Sequence, residues 1–126
     1  MLTETRNDEL YAGKLMEIVK ILKSQGFEKI RTDLPDYPDP SPLVRQSDEH
    51  AYIPDITAVK NGGKYYIEVA KRTSDEVKLV GKWKLLATLA SMKKGELKIF
   101  VPRGELSFTR RVLTKYNIEA TMIKMF

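Results

Sequence analysis

The chain contains no cysteine and only one histidine, His50. Disulfides and thiolate metal sites are therefore excluded, and a zinc centre lacks its usual ligands. No apolar run approaches the roughly 18 to 20 residues that would span a bilayer. The opening residues, Met-Leu-Thr-Glu-Thr-Arg-Asn-Asp-Glu, lack the basic-then-apolar layout of a signal peptide. These absences point to a soluble, cytoplasmic protein with no membrane partner. There is no repeat, no low-complexity tract and no sign of a second domain. With 126 residues the chain has the length of one domain, enough to bury roughly two-thirds of its surface.

What is present is charge, unevenly spread. Residues 1–59 carry 7 Lys and Arg against 11 Asp and Glu, whereas residues 60–126 carry 15 against 6. A basic second half suggests one positive surface, for which a polyanion such as nucleic acid is the usual partner.

The most informative stretch runs from Ile53 to Lys71. Two β-branched and aromatic runs flank Asn61-Gly62-Gly63, a strong hairpin signal. With a two-residue type I′ turn at Asn61-Gly62, Lys60 faces Gly63. Asp55 then lands directly opposite Glu68, both side chains on one face. A turn centred on Gly62-Gly63 would pair Asp55 with Ala70 yet keep the two acids on that face. Only a three-residue loop or a bulge would separate them. Opposed carboxylates repel. The pair is tolerable if solvated, if one acid is protonated, or if a cation lies between them. Hard divalent ions are held by one or two carboxylates plus substrate phosphates.

The remaining elements follow in order. Asn7 or Thr5 can cap a first helix whose stripe is Tyr11, Leu15, Ile18, Val19 and Leu22, with Gly26 as its stop. A short strand is predicted over 27–32. Residues 33–50 hold Pro35, Pro38, Pro40 and Pro42, which argue against regular structure and for a functional or locally disordered loop. Arg45, Gln46, Ser47 and His50 could reach a substrate from it. Thr73-Ser-Asp-Glu76 reads as a capping box, Thr73 as cap and Glu76 reaching back. It opens a helix over 74–93 with Val77, Val80, Trp83, Ala87 and Ala90 on its apolar face. Trp83 reads as core, and Lys78 and Lys82 stand one turn apart. A buried strand over 96–101, a helix over 106–116 carrying Arg110, Arg111 and Lys115, and a strand over 118–125 complete an α-β-β-β-α-β-α-β order.

That order, with two acids on its central hairpin, resembles the PD-(D/E)xK nuclease superfamily, the restriction-endonuclease-like fold with an α-β-β-β-α-β core. Ile53-Pro54-Asp55-Ile56, Ala58, Lys60-Asn61-Gly62 and Ile67-Glu68 are similar to the central segment of archaeal Holliday junction resolvases. The Gly26-Phe27 ending of the first helix also resembles them. The resemblance implies an α/β domain with a mixed central sheet flanked by helices, plus a C-terminal helix and strand. It implies metal-dependent phosphodiester hydrolysis of DNA, with Asp55 and Glu68 holding Mg²⁺ or Mn²⁺. A first-helix acid contributes in many members, for which Glu9 and Glu17 are candidates. Members often pair as homodimers, although no residue here identifies an interface.

One departure stands out. The family's lysine belongs at position 70, where this chain has Ala70 followed by Lys71. Strand parity puts Ala70 on Glu68's face and Lys71 on the other. Lys71 can serve as the catalytic lysine if a bulge or the strand's end turns it back. Otherwise Lys78 or Lys82 supplies the charge, or no lysine serves and the fold is a nucleic-acid-binding or structural relative. In the enzyme reading, Arg72, Lys78, Lys82, Arg110 and Arg111 track phosphates.

Overall fold

A computed structural model describes residues 2–45 and 50–126, without the side chains of residues 2–8 and of Arg45. Among these residues the order is α1 (Leu2–Ser24), β1 (Glu28–Thr32), β2 (Leu43–Arg45), β3 (His50–Tyr52), β4 (Ile56–Lys60) and β5 (Gly63–Val69). Then follow α2 (Glu76–Met92), β6 (Leu97–Val101), α3 (Leu106–Lys115) and β7 (Thr121–Lys124).

The Asn-Gly bend organises the sheet. Asn61 (φ 52) and Gly62 (φ 80) both take the left-handed conformation, as a type I′ turn requires, so its twist matches that of the flanking strands. The ladder pairs Lys60 with Gly63 and Ile56 with Ile67, which is the register predicted for this turn. Around that hairpin the five-stranded sheet has the order β1-β4-β5-β6-β7. β1 and β4 run antiparallel to their neighbours, while β5, β6 and β7 are parallel. The parallel steps need crossovers, which α2 and α3 supply.

Each face buries its own cluster. On one, Leu15, Ile18 and Leu22 of α1 pack on Ile56, Ile67 and Phe100. On the other, Val80, Trp83 and Leu86 of α2, with Val112 of α3, cover Tyr66, Ala70 and Ile99. Strand parity thus sends Tyr66, Glu68 and Ala70 toward α2. The architecture is that of the restriction-endonuclease-like fold, as expected.

Several local expectations are corrected. The first helix starts at Leu2, ahead of both Thr5 and Asn7, whose side chains lie outside the described set. Residues 33–50 are not wholly irregular, since β2 and β3 form a two-stranded antiparallel ribbon. Gln46 and Ser47 fall outside the described residues. α2 is capped by Asp75, whose carboxylate accepts from the Lys78 N–H at 3.2 Å, rather than by Thr73. Glu76 does not reach back, because Arg111 at 2.6 Å and Tyr116 at 2.9 Å hold it from α3's side. Val77 is 83% exposed, outside the helix's buried face. The last strand is shorter than 118–125.

The hairpin tip is fastened to the end of α2. The Lys64 N–H donates to the Lys93 carbonyl at 3.1 Å, and Gly63 and Gly95 pass without side chains between them. A Cβ at Gly95 would sit 1.8 Å from the Lys64 carbonyl oxygen, and one at Gly63 would sit 2.2 Å from that of Lys94. Backbone cannot yield as a flexible side chain can. Gly95→Ala is expected to lower unfolding free energy by about 2 kcal/mol or more, within the usual range for overpacking. Urea unfolding measures this, and a loss below about 0.5 kcal/mol would contradict the close approach.

Candidate active site

Asp55 lies just ahead of β4 and Glu68 near the end of β5, so both stand at one end of the sheet, Glu68 facing α2 and the Asp55 carboxylate reaching Tyr11 of α1. Neither is held by the ladder alone. The Asp55 N–H donates to Glu68 Oε2 at 2.8 Å, and the Val69 N–H donates to Asp55 Oδ2 at 2.8 Å. Each acid is thereby tied to the backbone carrying the other. Thr32 of β1 adds a third tie, its hydroxyl donating to the Asp55 carbonyl at 2.9 Å.

Side chains from two helices complete the cluster. From α2, Lys82 Nζ lies 3.0 Å from Glu68 Oε1, and Trp83 Nε1 donates to the same oxygen at 3.2 Å. From α1, the Tyr11 hydroxyl donates to Asp55 Oδ1 at 2.5 Å. Every carboxylate oxygen of the pair therefore accepts at least one hydrogen bond. A cleft of about 480 Å³ opens on the cluster, lined also by Lys14, Lys71 and Arg103.

The electrostatics are those of an anionic pair pressed out of water. Glu68 is only 2% exposed. Burial, then the Asp55 charge, pushes its carboxyl up to about 8, although Lys82 and the Asp55 N–H pull the other way. Burial pulls Lys82 down, but the charges of Glu68 and Asp55 and the bond to Glu68 outweigh it, so its ammonium is held above the usual lysine value. Burial and then the charge of Asp55 push the Tyr11 phenol well above its ordinary range, so Tyr11 is a proton donor to Asp55.

The sequence-predicted residues divide as follows. Asp55 and Glu68 are brought together. Ala70 lies on Glu68's face, buried at 1%, as parity predicts. Lys71 is exposed beyond the end of β5 and lines the cleft. Of the two helix lysines, Lys82 meets Glu68 and Lys78 is exposed. Glu9 and Glu17 are both exposed on α1, which sends Tyr11 to the site instead. Among the described residues no group of three or more His, Cys, Asp or Glu side chains could hold a metal ion. Arg72 donates to Glu105 and to the Gly104 carbonyl, Arg111 is paired with Glu76, and Arg110 is exposed. His50 stacks on Tyr52, ring centroids 5.4 Å apart.

Sequence reasoning missed two functions here. Trp83 was legible as core but not as a donor to a buried acid, and Tyr11 was legible only as the first residue of an apolar stripe. A polar-tipped aromatic at the end of such a stripe is the available signal.

With this geometry in view, comparison with known proteins is decisive on family. The family profile of the archaeal Holliday junction resolvase (Hjc) matches residues 12–121. The chain belongs to that family. It is a family of nucleases acting on DNA junctions, within the PD-(D/E)xK superfamily. Resolvases of this kind generally depend on a divalent metal. No curated protein and no solved structure was found to match. No helix among the described residues is long and apolar enough to cross a membrane.

The raised Glu68 carboxyl has a consequence for stability without metal. Between the usual carboxylate range and about 8, the unfolded chain has released the Glu68 proton while the folded protein still holds it. Raising pH through that window therefore favours unfolding. In EDTA, wild-type stability is expected to fall from about pH 5 to about pH 8, and Glu68→Gln should flatten that slope. Urea titrations across the window measure both, and superimposable pH profiles would contradict the assignment.

Proposed function

We propose that the chain cuts branched DNA by divalent-metal-dependent phosphodiester hydrolysis at Asp55 and Glu68, with Lys82 serving as the lysine of the site. The observation that carries this reading is the Lys82 ammonium, 3.0 Å from Glu68 Oε1. It brings a positive charge from α2 to a site whose strand offers only Ala70.

The residues fit a hard divalent ion. Each carboxylate oxygen has about two acceptor positions. Glu68 Oε1 has both filled, by Lys82 and Trp83, while Oε2 and both oxygens of Asp55 each have one donor. Acceptor capacity thus remains on both acids, and Mg²⁺ needs only one or two carboxylates beside water and substrate phosphate. Asp55 and Glu68 would hold it. When bound, such an ion makes a coordinated water more acidic and offsets the charge that gathers on the phosphorus oxygens.

The protein's own groups do the rest. The paired backbone donors at Asp55 and Val69 hold the carboxylates in place before substrate arrives, so little reorganisation remains. Lys82, kept protonated by its acidic neighbours, faces the developing negative charge. Lys14, Lys71 and Arg103 line the cleft and Lys78 stands near Lys71 and Lys82, supplying the positive rim that a phosphate backbone requires; Arg110 is exposed on α3. Arg72 and Arg111 have intramolecular partners and must exchange them to contact DNA.

A second reading has its own supporting observation. Because every oxygen of the pair already has a donor, the cluster can also stand as a closed network in a relative that binds junctions without cutting them. Cleavage of a labelled four-way DNA junction in Mg²⁺ or Mn²⁺ separates the two. In the enzyme reading Asp55→Ala lowers the rate by about 10³-fold or more, Lys82→Met by about 10²-fold, and Lys71→Met by much less. Salt-sensitive junction binding with no metal-dependent cutting by the wild type would establish the binding reading. Unimpaired cutting by Lys82→Met would return the role to Lys71.

A further inference from the structure

Tyr11 is a cluster member to which the hydrolytic chemistry described above gives no role. Its hydroxyl is 2.5 Å from Asp55 Oδ1 while the Val69 N–H is 2.8 Å from Oδ2, so the carboxylate is gripped at both oxygens. One grip comes from β5 and the other from α1, 44 residues away in sequence. The need for the second grip is local. Asp55 lies before the first paired residue of β4, Ile56, so no ladder hydrogen bond fixes its orientation. Its backbone instead uses Glu68 and Thr32 as partners.

Among the described side chains of α1 the acids Glu9 and Glu17 are exposed, and the helix presents a neutral donor to Asp55. We propose that Tyr11 is a positioning residue that fixes Asp55 for metal binding.

The proposal rests on the metal-dependent reading, and Mn²⁺ binding without DNA tests the two separately. Free Mn²⁺ is followed by EPR during titration of wild type, Asp55→Asn and Tyr11→Phe, with thermal unfolding of each. Mn²⁺ binding by the wild type is expected. Tyr11→Phe should fold and bind Mn²⁺ about ten-fold more weakly, as the loss of a hydrogen bond to a charged group implies.

Wild-type binding that Asp55→Asn leaves unchanged would remove the metal reading itself. Binding lost in Asp55→Asn but unchanged in Tyr11→Phe would overturn the role of Tyr11 alone. A Tyr11→Phe chain that fails to fold would show the bond to be structural and overturn the positioning role.

Discussion

Two carboxylates face one another across the end of an antiparallel hairpin, and the surrounding structure compensates for their repulsion. The bend at Asn61 and Gly62 sets the register, which carried one step beyond Ile56 and Ile67 puts Asp55 opposite Glu68. Like charges so placed destabilise a sheet, and burying one raises that cost. The compensation comes from every neighbouring element. β5 gives the Val69 N–H, the Asp55 backbone serves Glu68, α1 sends Tyr11, and α2 sends Lys82 and Trp83. A donor set drawn from so many elements assembles only when the chain is folded, so the site and the fold form together.

That dependence explains which parts were legible in the sequence. The turn was legible because its chemistry is local: Asn-Gly accepts left-handed conformations at two successive positions, and parity then fixes the faces. The same counting placed Ala70 beside Glu68. The cap of α2 was not legible, since the Thr73 to Glu76 spacing fits a capping box equally well. What decides is Arg111 and Tyr116, which take the Glu76 carboxylate from another helix. Val77 fell outside the buried face because the sheet sets the helix's rotation, which propensity does not specify. The β2–β3 ribbon was hidden by prolines, which exclude a central strand but permit a short isolated pairing.

Within the site the division is the same. The acids were legible because a ladder relates them, whereas Tyr11 is related to Asp55 only through the packing of α1 on the opposite face of the sheet. Lys82 was one of two lysines a turn apart. The choice between them rests on α2's rotation, which buries Trp83 and leaves Lys78 in solvent. Sequence periodicity shows that α2 has a buried face but does not show how far along that face the sheet's end lies.

A lysine carried by a helix and one carried by the strand are not equivalent ways of supplying a charge. A strand lysine would inherit its position from the sheet's own hydrogen bonds. Lys82 inherits its position from how α2 packs, and Trp83 fixes that packing at the same oxygen, its Nε1 sharing Glu68 Oε1 with the ammonium. The small residue at position 70 belongs to this arrangement. Ala70 lies in one apolar cluster with Val80 and Trp83, so a long charged chain there would have to pass through the surface on which α2 rests. The short side chain on the strand lets the helix approach, and the approach brings its lysine to the acid. In the proposed reading, the short side chain at position 70 and the ammonium on α2 are one packing solution, in which the place of Lys82 beside Glu68 is set by the core.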